Sequence, residues 1–140
     1  MAGSVDIVFD GLAGDEESVS PALPRVLQVL ARRGVRATFY VPPALAEAEP
    51  FALTMIENGG QMIGNGDPPV GDAVAERDKS PADWHSAMQL AVGRAVSGGG
   101  HATLVFALAG LERGDAMGFF DETIDLLAGL RRAGSLTIEG

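Results

Sequence analysis

The stretch VDIVFDGLAG, residues 5–14, decides the fold. Its β-branched, apolar run from Val5 to Phe9 is typical of a buried strand, and Asp10 and Gly11 follow directly. In sheets of parallel strands, ligands bind at the carboxyl ends of those strands. The stretch therefore predicts a strand that places the carboxylate of Asp10 at its carboxyl end, where α/β proteins have their functional sites.

Strand and helix patterns alternate along the rest of the chain. We predict further strands over 36–41, 61–65, 102–108 and 136–138, a polar loop over 67–79, and helices that end at Gly34, cover 45–58, follow Ser80 and cover 119–132. This alternation implies parallel pairing through right-handed crossovers. The sequence predicts one α/β domain over residues 1–140, built from parallel βαβ units, with about five strands and four helices.

Composition and charge exclude several classes of function. The chain is 46% hydrophobic, carries a net charge of −9 and has no cysteine. A negative field repels phosphate groups, so we expect neither nucleic acid nor a membrane as a partner. Disulfides, zinc–thiolate sites and thiol catalysis are excluded, which fits a cytoplasmic protein. No signal peptide and no membrane-spanning run is expected.

Three blocks of sequence resemble a known family when they are taken in order. They are VFD at residues 8–10, GVRATFYV at residues 34–41 and GQMIGN at residues 60–65. In this order they resemble the TFDD, GVKATFFV and GHEIGNH blocks of polysaccharide deacetylases, the NodB-homology or carbohydrate esterase 4 family. The resemblance covers about the first half of the chain. It implies a NodB-like (β/α) barrel, here truncated and distorted because the chain is shorter than a full family domain.

The same resemblance implies a reaction whose metal ligands are missing from this sequence. Deacetylation in that family uses a divalent metal held by one aspartate and two histidines. Asp10 occupies the position of the family's general base, while Gly11, Gly66 and Val70 occupy the three ligand positions. Glycine and valine offer no donor atom to a metal. We therefore expect no metal, no other cofactor and no metal-dependent deacetylation.

Several polar residues remain near the predicted strand ends. Asp10 and Asp67 are candidates for a catalytic acid/base pair, because neighbouring carboxyl groups can divide into a protonated and an ionised member. Tyr40, Asn65 and Glu112 are candidate ligand-binding residues. A purely structural interpretation stays open, in which Asp10 caps a turn and Asp67 starts the Pro-Pro loop.

The two histidines are predicted to lie outside this site. His85 is interpreted as a surface residue beside Trp84, and His101 precedes the fourth predicted strand, at its amino end. Because neither histidine is expected near a serine at a strand end, we predict no Ser–His–Asp arrangement.

Three functions are compatible with these features. The first is a diverged deacetylase-like protein that binds a small organic or sugar-like ligand in the cleft at the strand ends. The second is a metal-independent enzyme of specialised metabolism that uses Asp10 with Asp67, and the third is a structural or regulatory partner protein without a ligand. A truncated barrel exposes strand edges, so we also predict a homo-oligomer, in the simplest case a dimer.

Overall fold

The computed structural model describes residues 3–10, 22–41, 47, 50–64, 71–75, 80–107, 111 and 115–139. The strands are β1 (Gly3–Asp10), β2 (Thr38–Tyr40), β3 (Met62–Gly64), β4 (Ala73–Ala75), β5 (His101–Phe106) and β6 (Leu136–Glu139). The helices are α1 (Leu23–Arg33), α2 (Phe51–Asn58), α3 (Pro81–Gly98) and α4 (Ala116–Arg132). The predicted α/β class is confirmed, and the described residues form four helices, as predicted.

The strands form one parallel sheet in the order β3-β2-β1-β5-β4. Strand β5 runs beside β1 from Ser4 to Phe9. On its other side, β1 pairs with β6 through its first half and with β2 through its last three residues. Residues 5–10 thus lie in the central strand, and β3 and β4 are edges of the sheet within the described part of the chain.

The helix boundaries follow from local chemistry. Helix α1 ends at Gly34, whose φ of 67° lies in the left-handed region that glycine adopts without strain. Helix α3 begins after Ser80, whose hydroxyl accepts a hydrogen bond from the backbone N–H of Asp83 at 3.2 Å, and Pro81 occupies its first turn. Both boundaries agree with the sequence prediction.

The structure corrects two predicted boundaries. Residues 73–75 form strand β4 within the predicted polar loop 67–79, because Ala73 and Val74 pair with Leu104 and Val105 of β5. Helix α4 begins at Ala116, three residues before the predicted start. Ala116 is fully buried, which extends the apolar side of the helix by most of a turn.

A row of phenylalanines crosses the middle of the sheet. Phe9 is the register partner of both Phe39 and Phe106. Its ring stacks on Phe39 at 4.4 Å between centroids, and Phe120 of α4 contacts it edge-on at 5.8 Å. Trp84 of α3 meets Phe106 at 5.9 Å. All five aromatic side chains are fully buried. Helices α3 and α4 therefore pack on the sheet through Trp84 and Phe120, next to the carboxyl ends of β1 and β5.

Gln61 fixes strand β3 beside strand β2. Its buried amide oxygen accepts a hydrogen bond from the backbone N–H of Ala37 at 2.7 Å. Its amide nitrogen donates to the carbonyl of Val35 at 3.2 Å. One side chain thus satisfies two backbone groups at the point where β2 begins, and it helps to set the register of Tyr40 against Gly64.

We expect the Gln61→Leu substitution to lower the free energy of unfolding by about 1–3 kcal/mol, because it leaves a buried N–H and a buried carbonyl unpaired. Urea denaturation measures the change. Gln28→Leu, on the exposed side of α1, is the matched control and should have little effect. Equal effects of the two substitutions would contradict this role of Gln61.

Candidate functional site

The carboxyl edge of the sheet brings two predicted site residues into one register row. Asp10 is the register partner of Tyr40, and Tyr40 is the register partner of Gly64. Phe106 of β5 pairs with Phe9 of β1. Ala107 therefore lies level with Asp10, on the side of β1 opposite Tyr40. The backbones of three neighbouring strands and the residue after β5 therefore meet where a ligand of a parallel sheet binds.

Tyr40 lies across this row, over Gly64. A Cβ atom at Gly64 would stand 2.6 Å from Cε2 of the Tyr40 ring, closer than carbon atoms approach. The absence of a side chain at Gly64 leaves room for the ring to lie along the sheet edge. Tyr40 is half-buried, so part of its ring stays available to a ligand. The sequence singled out Tyr40 but gave no sign of the role of Gly64.

The other predicted site residues lie outside the described part of the chain. These are Asn65, Asp67 and Glu112. For Asp10 the structure describes the backbone but not the side chain. The proposed proximity of Asp10 and Asp67 stays a prediction. The described residues contain no group of three or more histidine, cysteine, aspartate or glutamate side chains able to hold a metal ion.

A polar cluster occupies the opposite, amino edge of the sheet, where the sequence predicted His101. Ser4 of β1 is the register partner of His101 of β5, and Oγ of Ser4 lies 2.7 Å from Nδ1 of His101. Asp6 stands two residues further along β1, with its Oδ2 3.6 Å from Nε2 of His101. We call Ser4, Asp6 and His101 the amino-edge cluster. The predicted absence of a Ser–His–Asp arrangement is incorrect, because the register of two strands 97 positions apart brings these side chains together.

His85 is not the surface residue that its position in the helical pattern suggested. Only 13% of its side chain is exposed. Its ring packs on Phe119 at 4.7 Å between centroids, and its Nε2 lies 3.7 Å from a carboxylate oxygen of Glu122. Both partners belong to α4, so this histidine is part of the contact between α3 and α4.

Comparison with known proteins identifies the fold. A family 4 carbohydrate esterase from Streptomyces lividans, solved in complex with acetate, superimposes with a TM-score of 0.64 at 13% identity, over 99% of this chain and 92% of the other. The fold of this chain is that of the family 4 carbohydrate esterases. The NodB-like architecture that the three sequence blocks implied is thereby confirmed.

Two further structures share the carbohydrate esterase fold. A peptidoglycan deacetylase from Bacillus subtilis matches with a TM-score of 0.63 and 14% identity, over 91% of this chain and 84% of that one. A mutant of a Bacillus anthracis pseudoenzyme of the same family, with restored enzymatic activity, matches with a TM-score of 0.55 and 14% identity, over 98% and 65% of the two chains. The fold thus occurs in active enzymes and in a pseudoenzyme.

No protein-family model matches the sequence, and no curated protein matches it in sequence. Among the described residues, no helix has both the length and the apolar character needed to cross a membrane.

Proposed function

We propose that this chain is a diverged, polysaccharide deacetylase-like protein that has lost metal-dependent deacetylation and binds a small organic or sugar-like ligand. The ligand site is the carboxyl edge of the sheet. The observation that carries the proposal is the register row of Asp10, Tyr40 and Gly64, which places a carboxylate-bearing residue beside an aromatic ring at that edge.

The side chains at the proposed ligand positions argue against the divalent metal that the fold family implies. The positions that match the family's aspartate and histidine ligands are Gly11, Gly66 and Val70, none of which carries a donor atom. Zinc and its relatives need imidazole, thiolate or carboxylate groups from the protein. These residues do not fit the metal, and the proposed function contains no step that depends on one.

The residues of the row suit a sugar-like molecule. The partly exposed Tyr40 offers a flat aromatic ring for the C–H face of a sugar, and its hydroxyl can donate and accept hydrogen bonds. Asp10 adds a carboxylate that can accept hydrogen bonds from sugar hydroxyls. Such a mixture of one flat apolar surface and a few polar groups is typical of small-molecule sites.

The test uses a short oligomer of N-acetylglucosamine as the probe, in buffer containing a chelator. We expect isothermal titration calorimetry to show binding to the wild-type protein. Tyr40→Ala should weaken the affinity about 10-fold or more, which corresponds to about 1.4 kcal/mol of lost contact. Gly64→Ala should also weaken it, since the new methyl group displaces the Tyr40 ring.

Tyr40→Phe keeps the ring and is the matched control, which should retain most of the affinity. Equal affinity of the wild type and Tyr40→Ala would contradict a site at this edge, as would a failure of the wild type to bind. Release of acetate without a metal, lost in Asp10→Asn, would instead favour the metal-independent enzyme.

We also propose that the chain forms a homodimer through an edge of the sheet. Strand β3 is an edge of the sheet among the described residues, and Met62 on it is 39% exposed, which leaves apolar surface for a second copy. Sedimentation equilibrium should give about twice the chain mass. A monomer at all accessible concentrations would contradict the dimer.

A further inference from the structure

We propose that the amino-edge cluster is a second site, in which Ser4 is a nucleophile that small activated carboxylic esters acylate. The proposal rests on geometry. Ser4 and His101 are direct partners on adjacent strands, so their side chains stand on one face of the sheet with Oγ and Nδ1 2.7 Å apart. Asp6 lies on the same face, because successive strand residues alternate between faces and Asp6 is two positions from Ser4.

The three side chains have the roles that activate a serine. Nε2 of His101 lies 3.6 Å from Oδ2 of Asp6 and 3.4 Å from Oγ1 of Thr103. The Asp6 carboxylate favours the tautomer that carries its proton on Nε2, which leaves Nδ1 as the acceptor for the Ser4 hydroxyl. A nucleophile, a base and a group that orients the base are thus arranged in sequence.

The acylation step requires only these side chains and the ester. The Ser4 hydroxyl oxygen attacks the carbonyl carbon of the ester, and its proton passes to Nδ1 of His101. The bond from carbon to the leaving oxygen breaks, and the leaving group takes the proton from His101. The products are acyl-Ser4, neutral His101 and an alcohol. Asp6 acts through His101 and is a positioning residue, because its carboxylate stabilises the imidazolium that forms in between.

The surroundings favour a single acylation over rapid turnover. His101 and Asp6 have 43% and 33% of their side chains exposed, so a small ester can reach the cluster. The backbone N–H of Ser4 donates to the carbonyl of Gly100, and that of Gly3 donates to Ser135. These two N–H groups are therefore not available to stabilise an oxyanion, a contribution worth about 10²–10³-fold in rate in serine hydrolases.

The cluster is separate from the proposed ligand site. Asp10 is six positions from Ser4 along an extended strand, a distance of about 20 Å. Substitutions at the amino edge should therefore leave binding at the carboxyl edge unchanged, and each proposal can fail independently of the other.

The test treats the full chain with p-nitrophenyl acetate and locates the acetyl group by peptide mass spectrometry. We expect acetyl-Ser4 in the wild-type protein, with loss of that adduct in Ser4→Ala. His101→Gln should slow the acetylation of Ser4 by about 100-fold, the lower end of the contribution of a general base. Asp6→Asn should also slow it, and Asp6→Glu should restore much of the rate.

Thr137→Ala is the matched control, since Thr137 is the register partner of Ser4 on β6 and its hydroxyl donates to the carbonyl of Gly3 at 3.4 Å. It should leave the rate unchanged. The proposal is overturned if the wild-type protein carries no acetyl group on Ser4. It is equally overturned if folded His101→Gln reacts as fast as the wild type, because Ser4 would then be only an accessible hydroxyl. The wild-type mapping decides the first point even if a variant fails to fold.

Discussion

Replacing Phe9 with alanine is expected to lower the free energy of unfolding by about 3–5 kcal/mol. Phe9 is fully buried in the central strand, and its ring contacts Phe39, Phe106 and Phe120. Truncation removes the transfer free energy of the ring and leaves a cavity lined by rigid aromatic neighbours that cannot collapse into it. A domain of this size is stable by about 5–15 kcal/mol in total, so the loss is a large fraction of its stability.

Urea denaturation of Phe9→Ala and of Phe51→Ala gives the comparison. Phe51 is 53% exposed at the start of α2, so its truncation should cost less than about 1 kcal/mol. Phe9 also precedes Asp10, and we therefore expect Phe9→Ala to weaken binding of the N-acetylglucosamine oligomer. A destabilisation of less than about 1 kcal/mol for Phe9→Ala would show that the phenylalanine row does not hold the sheet together.

The second large effect is a gain of metal binding in the triple variant Gly11→Asp/Gly66→His/Val70→His. These substitutions introduce one carboxylate and two imidazoles at the positions that we propose to match the family's ligands. A carboxylate and two imidazoles form the usual protein ligand set of a catalytic zinc site with an open position. We expect the variant to bind about one zinc ion per chain and the wild type to bind none after dialysis.

The control is Gly11→Asn/Gly66→Gln/Val70→Gln, which adds side chains of similar size with neutral amides. It should stay free of metal, because amides are poor ligands for zinc. Failure of a folded triple variant to bind zinc would contradict the correspondence of these three positions with the family's ligands.

Much of the fold could be predicted because its elements carry strong local signals. The apolar run before Asp10, the Ser80-Pro81 helix start and Gly34 each determine structure within a few residues of themselves. Strand β4 was missed because three small and apolar residues inside a polar loop give no periodic signal. Its pairing with β5 is a tertiary contact, which a local pattern does not encode.

The sequence could predict which residues lie at strand ends, because a strand end is a local feature. It could not predict which of these residues are neighbours across the sheet. The sequence predicted Asp10 and Tyr40 at carboxyl ends of strands, and the register of β1 and β2 makes them partners. The amino-edge cluster depends on the alignment of Ser4 with His101, which one residue of slip would destroy. His85 was misjudged for a similar reason, since its burial comes from helix α4 and not from its own helix.

The most direct test of the account is the metal content of the purified wild-type protein. The protein is dialysed against zinc, cobalt or manganese and then against metal-free buffer. The retained metal is measured by inductively coupled plasma mass spectrometry. We expect far less than one metal ion per chain, because the proposed ligand positions hold glycine and valine. Retention of about one equivalent, together with acetate release that a chelator stops, would show that metal-dependent deacetylation has survived.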